Sequence, residues 1–369
     1  MSLATDLDPY GPSRLCGDAA VLNRRLALKT ALGVGYVAAA GPLMAQSAIK
    51  TSAEGLVVGE ISVKVQGTQV PAYRAAPAGK TQLPTVLVIS EIFGVHEYIA
   101  DVCRRWAKEG YLAIAPELFV RQGDPSMMGE VAQINRDIIS KVPDAQCMAD
   151  LDAFAQWAAS NGGDGKRLGI SGFCWGGRIT WLYAMHNPAL KAAVAWYGRL
   201  EGAATPLQPH HPVDLVAQLK APVLGLYGAA DAGIPNTSWQ KMQAALKQAG
   251  EGGLAAARAS EFVAYPDTPH AFHADYRPTY REAAAKDGWQ RAVAWMKRYV
   301  PGNDAQRYCR KTSGPSAERL KPTTSAPSAR SFSRARSSLA LQRRPTKFPL
   351  LLLAATFSSA PCIRTWLVF

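Results

Sequence analysis

The chain has 369 residues, 48% of them hydrophobic, and a formal net charge of +13. That is ample for one large α/β domain with appendages. The charge is not the footprint of a nucleic-acid binder, because residues 301–369 hold twelve basic residues against two acids and leave only +3 on the first 300. The six cysteines (Cys16, Cys103, Cys147, Cys174, Cys309 and Cys362) show no C-x-x-C or metal-ligand spacing, so neither a disulfide framework nor a metal site is expected.

Residues 22–48 have the layout of an export signal. Arg24 and Arg25 precede Leu26, Leu28 and Lys29, and a weakly apolar Ala/Gly-rich stretch runs from Ala31 to Ala40. Small residues follow, and cleavage is expected near Ala45, Ser47 or Ala48. The pattern resembles a twin-arginine (Tat) signal and predicts a periplasmic or secreted protein that meets the export machinery. The apolar run is shorter than the roughly 20 residues of a membrane span, so stable membrane insertion is not expected. Residues 1–48 are thus read as signal and extension, and 55–301 as the folded domain.

Within the domain, β-branched apolar runs alternate with helical patterns. Strands are predicted at 56–65, 86–89, 111–115, 168–170, 192–196, 223–227 and 262–265. Helices are predicted at 97–109, 145–160, 178–186, 238–249 and 280–299. Continuous apolar strands separated by helices indicate the α/β class, with a mostly parallel sheet covered on both faces. Ligands in such sheets bind beyond the carboxyl ends of the strands, so functional residues are sought just after each strand.

After 86–89 comes SEIFGV, with Glu91 either beside a nucleophile or simply leading the next helix, and with Ile92 N–H as an oxyanion donor. After 168–170 comes SGFCWGG. A strand, a glycine turn and a helix put Cys174 where a nucleophile elbow puts its serine, with the N–H of Trp175 aimed at a developing oxyanion and a helix start favouring the thiolate. The alternative is a small buried cysteine in a glycine turn. After 223–227 comes GAAD, ending in Asp231, which is either a triad acid or a helix cap. After 262–265 comes PDTPHAF, with His270 as base, His273 competing for that role and Asp267 competing with Asp231. Cys174, Asp231 and His270 follow three successive strand predictions in the order nucleophile, acid, base, the chain order of α/β hydrolases. The chemistry needs this set: His270 takes the thiol proton and later protonates the leaving group, while Asp231 fixes its tautomer. Beyond Val300, residues 302–369 form a basic Ser/Pro/Arg-rich tail expected to be disordered. Few aromatic residues interleave its charges, so it offers no stacking platform for single strands, and no nucleic-acid partner is expected.

The segments SEIFGV (90–95), APELFVRQ (115–122), GFCWGG (172–177), LYGAADAGIP (226–235) and PHAF (269–272) resemble the dienelactone hydrolase (carboxymethylenebutenolidase) family across about 55–300. The resemblance implies an α/β-hydrolase fold, no cofactor, and a triad of Cys174, Asp231 and His270. It also implies that Glu91 contacts the resting thiol and that Arg121 binds a substrate carboxylate, a task suited to a guanidinium fork. In HAFHADYRP, Ala274 stands where the family enzyme acting on dienelactone has a second arginine, and Arg277 follows three residues later. The reading is a cysteine-dependent hydrolase of a small, anionic lactone or ester. Its rivals are a non-catalytic binding protein on the same scaffold and a cysteine acyltransferase or peptidase.

Overall fold

A computed structural model of the chain describes residues 49–303. The expected signal, and the expected tail apart from Gly302 and Asn303, lie outside the described residues.

Strands β1 (Leu56–Val65) and β2 (Thr68–Pro77) open the domain as an antiparallel hairpin. Its two-residue turn is Gln66–Gly67, both at positive φ (48° and 85°), the left-handed geometry that matches strand twist. β2 adds one strand to the seven predicted. Its sequence, TQVPAYRAAP, holds two prolines, which argue against a sheet-interior strand when read alone. The structure accommodates Pro71 by using only its carbonyl, which accepts the N–H of Glu117 at 2.8 Å.

The remaining strands are β3 (Leu83–Ile89), β4 (Leu112–Pro116), β5 (Gly163–Phe173), β6 (Leu190–Trp196), β7 (Val223–Gly228) and β8 (Glu261–Tyr265). The sheet order is β1-β2-β4-β3-β5-β6-β7-β8. β2 pairs with β4 antiparallel, and every pairing from β4 to β8 is parallel. β3 and β4 are buried at every position, which is why they read as unbroken apolar runs rather than alternating ones.

Helices α1 (Glu97–Lys108), α2 (Val131–Asp137), α3 (Asp144–Ser160), α4 (Trp175–His186), α5 (Asn236–Glu251), α6 (Ala255–Ala259) and α7 (Glu282–Tyr299) connect or follow the strands. The five long ones were predicted; α2 and α6 are too short to display a helical period. α1 buries Tyr98, Ile99, Val102, Cys103 and Trp106, and Trp106 meets Trp289 of α7 with ring centres 4.6 Å apart. The chain leaves β3 toward β4 on one side and later enters β5 on the other side of β3. A crevice therefore opens at the carboxyl ends of β3 and β5, the switch point where open α/β sheets bind ligands.

Candidate active site

Cys174 occupies that crevice at the junction of β5 and α4. Its backbone lies at φ 55°, ψ −115°, a region L-residues rarely adopt and that is retained where the surroundings enforce it. Glycines enforce it here. A Cβ on Gly172 would lie 2.3 Å from the Gly176 carbonyl oxygen, and one on Gly176 would lie 2.5 Å from those of Ile89 and Ser90. The elbow therefore packs directly against the exit of β3. The Cys174 N–H donates to the Trp196 carbonyl at 3.0 Å, and its own carbonyl accepts from Gly177 and Arg178. α4 begins at Trp175, three residues before the predicted start, and takes Gly176 and Gly177 into its first turn.

The thiol Sγ lies 3.1 Å from His270 Nε2. His270 Nδ1 lies 2.6 Å from Asp231 Oδ2, while Asp231 Oδ1 accepts from the N–H groups of Gly233 (2.8 Å) and Ile234 (3.2 Å). The loops that carry acid and base are clipped together: Ala230 N–H donates to Thr268 O at 3.0 Å and Ala229 N–H to Tyr265 O at 2.9 Å. Burial opposes a charge on His270, but the Cys174 sulfur and the Asp231 carboxylate outweigh it and push its pKa up to about 10. Such an arrangement can hold an imidazolium against a thiolate.

The two competitors are placed elsewhere. His273 is buried among Phe173 and Trp196, and its Nδ1 lies 2.6 Å from the Tyr98 hydroxyl. Burial and the nearby Arg105 charge hold its pKa well below the usual value, so it is a neutral core histidine. Asp267 is exposed on its loop. Of the other described cysteines, Cys103 and Cys147 are fully buried, and burial pushes both thiols up.

The backbone N–H of Trp175 is the first of α4 and has no acceptor inside the helix. Ile92 follows Glu91 on the β3 exit loop that touches the elbow. Both candidate oxyanion donors therefore belong to the two segments that border the crevice.

Glu91 is fully buried beside this loop, but it makes no hydrogen bond to the thiol. Its Oε2 accepts the Tyr276 hydroxyl at 2.5 Å, and its Oε1 has no hydrogen-bond partner. The expected contact between Glu91 and resting Cys174 is corrected accordingly: the carboxylate is taken by a tyrosine. Burial alone would raise its pKa, yet His96, Tyr276 and Arg277 together hold it below the usual carboxylate value. Arg121 also has a different partner from the one expected. Its fork donates to both oxygens of Asp150 on α3, at 2.7 and 2.9 Å, and to the Val65 carbonyl at 3.1 Å. Arg277 makes no ion pair within 4 Å among the described residues, and its guanidinium sits over the Phe93 ring, 5.7 Å from the centroid.

Three residues near the site escaped the sequence reading. Tyr197 directly follows β6, where inspection of every strand end would have found it; it packs edge-on against His270 with centres 5.1 Å apart. Tyr276 and His96 lie on loops without periodicity and carry no sequence signal. No group of three or more metal-ligating side chains occurs among the described residues.

The profile of the dienelactone hydrolase family matches residues 70–300. A carboxymethylenebutenolidase-type protein of Methylorubrum extorquens is 54% identical over 279 residues, 75% of this chain and 94% of the relative. One from Salmonella typhimurium is 54% identical over 266 residues, 72% of this chain and 96% of the relative. A dienelactone hydrolase-type crystal structure from Klebsiella pneumoniae is 56% identical, covers 66% of this chain and 99% of its own, and superposes with a TM-score of 0.64.

Proposed function

The chain belongs to the dienelactone hydrolase family, and from that premise we propose that it opens a small ester or lactone through a thioester on Cys174. That it is a carboxylic ester or lactone hydrolase follows from the family itself. The cysteine mechanism is the finer reading. One observation carries it: the unbroken path Cys174 Sγ–His270–Asp231, at 3.1 and 2.6 Å.

In this mechanism the thiolate attacks the acyl carbonyl, and a C–S bond forms while the carbonyl oxygen takes the negative charge. The N–H groups of Trp175 and Ile92 receive that charge. The tetrahedral intermediate collapses, the C–O bond to the alcohol breaks, and His270 supplies the proton the alkoxide needs. In a lactone the alcohol stays attached to the acyl group. Water then attacks the thioester, His270 takes its proton, and the acid leaves as the thiolate reforms. Asp231 keeps Nδ1–H directed at itself throughout, so that Nε2 faces the reacting atoms.

An anionic substrate remains part of this reading, but the guanidinium that meets it is reassigned. Arg121 has Asp150 as a bidentate partner, whereas Arg277 makes no ion pair within 4 Å among the described residues and stands over Phe93, the residue next to Ile92. Cys174→Ala is expected to abolish hydrolysis of p-nitrophenyl acetate and of a lactone panel; activity at the wild-type level would sink the cysteine mechanism. In the same assays Arg277→Ala should raise KM for carboxylate-bearing esters by about tenfold, the worth of one modest charge-assisted contact, and leave neutral esters unchanged. An equal effect on both ester classes would remove Arg277 from anion recognition.

A further inference from the structure

A series of alternating charges runs along α1 and ends on the loop that carries His270. Arg104 Nη2 donates to Glu97 at 2.5 Å and to Asp101 at 3.1 Å. Arg105 donates through Nε to Asp101 at 2.6 Å and through Nη2 to Asp275 at 2.6 Å. Taken in order, Glu97, Arg104, Asp101, Arg105 and Asp275 make three carboxylates and two guanidiniums. The series is one positive charge short, and Asp275 is its buried end. Asp275 Oδ1 has no hydrogen-bond partner. Burial pushes this carboxyl up in spite of Arg105, as happens when a buried charge is under-compensated.

The start of the described chain lies along the same series. Thr51 N–H donates to Asp101 Oδ1 at 2.5 Å, its hydroxyl donates to Asp101 Oδ2 at 3.2 Å, and its carbonyl accepts from Arg104 Nε at 3.0 Å. Two residues earlier, the backbone N–H of Ile49 faces Asp275 and favours its charged form. The other groups facing Asp275 are Tyr98, Asp101 and Arg105 from α1 and Tyr280 from the segment before α7. Arg105 is the one cation among them, and Asp101 shares it. Lys50, next to Ile49, is exposed.

We infer that cleavage after Ala48 supplies the missing cation: the α-ammonium of Ile49 pairs with Asp275 and fastens the loop bearing His270 and Arg277 to α1. In that step a signal-removing peptidase adds water across the Ala48–Ile49 amide. The carboxylate leaves on Ala48, and the freed nitrogen stays on Ile49 and is protonated at neutral pH. The amide offers one donor and no charge, whereas an ammonium offers three donors and a full charge. The pair uses no group of the path from Cys174 through His270 to Asp231, so its effect is read in stability and not in turnover. The inference rests on reading residues 22–48 as a cleaved export signal, not on the role of Cys174.

The test compares mature chain recovered after export with the unprocessed chain carrying Arg24→Lys and Arg25→Lys, by N-terminal sequencing and by thermal unfolding across pH. The mature chain should begin at Ile49 and melt about 3 °C higher at pH 7, the shift of one modest ion pair in a domain of this size. An unfolded α-amino group has a pKa of roughly 7.7–8.0, and the pair raises it. The gap should therefore be full below about pH 7.5 and lost above about pH 10. His270 titrates in both forms and cancels in the difference. Asp275→Asn should erase the gap, and in the mature chain alone it should flatten the fall in melting temperature over the same pH range. No gap at pH 7, a gap independent of pH, or a gap of wild-type size with Asp275→Asn overturns the proposal. The wild-type pH series stands by itself if the Asp275 variant does not fold. A mature chain that begins at Gln46 or Ala48 also overturns it, since each added residue carries the ammonium up to roughly 3.6 Å away. The two readings fail differently: a chain cut before Ile49 without a melting gap fails the pairing alone, and an uncut chain fails the signal and the pairing with it. A lysine variant cut before Ile49 as well fails only the twin-arginine address, and the mature Asp275→Asn series then decides the pairing.

Discussion

His270 sits between a sulfur and a carboxylate in a pocket that by itself would keep it neutral. Its two partners, Cys174 and Asp231, win and carry its pKa to about 10. Since this folded-state value lies above the unfolded value near 6.5, the stabilisation it supplies is complete below about pH 6.5 and is lost as the pH rises through about 10. In the proposed mechanism the same proton is the one given to the leaving alkoxide. Hydrolysis of a simple alkyl ester, whose leaving group needs that proton, should therefore fall as pH passes about 10. The p-nitrophenyl ester, with a better leaving group, should fall less. Asp231→Asn removes one of the charges that raise the histidine and should shift the alkaline limb down by roughly one unit or more. A kcat/KM profile for the simple alkyl ester in which the limb stays at the wild-type position would deny Asp231 this electrostatic role.

Cys174 is presented by a junction of elements rather than by one loop. β3, β5 and α4 approach so closely that a Cβ on Gly176 would lie 2.5 Å from the carbonyl oxygens of Ile89 and Ser90. Gly176→Ala should cost about 2 kcal/mol or more, because backbone must move to admit a methyl group, and activity should drop with it as the β3 loop is pushed off the elbow. Gly129→Ala is the matched comparison, since a Cβ there meets nothing within 4 Å. Chemical denaturation of both variants checks this, and equal stability would mean that the packing at the elbow is looser than described. The same junction explains what could be read in advance. Buried parallel strands write themselves as apolar runs, and Cys174, Asp231 and His270 each stand just beyond such a run, so the sheet and the meeting of these three side chains were both legible. β2 was not, because its prolines hide a strand whose ladder partners lie on two neighbours. The partners of Glu91 and Arg121 were not legible either. Asp150 reaches Arg121 from 29 residues away and Tyr276 reaches Glu91 from 185, and no local pattern encodes a contact made only by the tertiary fold.

On the scale of the whole molecule, export and thiol chemistry have to be compatible. The proposed twin-arginine route would place Cys174 in an oxidising compartment, where free thiols are prone to pairing. The fold provides no internal partner among the described residues: Cys103 and Cys147 are fully buried, and all three thiols are free. Processing is also compatible with the fold. The start of the described chain is tied to α1 at Thr51, whose N–H donates to Asp101 at 2.5 Å and whose carbonyl accepts from Arg104 at 3.0 Å. Removal of a segment ending at Ala45, Ser47 or Ala48 leaves these bonds intact. Replacing Arg24 and Arg25 by lysine should therefore hold active, unprocessed enzyme in the cytoplasm. Wild-type chain should appear outside it with a new N-terminus between residues 46 and 49 and the same specific activity. Fractionation with N-terminal sequencing reads both results, and a lysine variant exported as well as the wild type would show that the paired arginines are not the address.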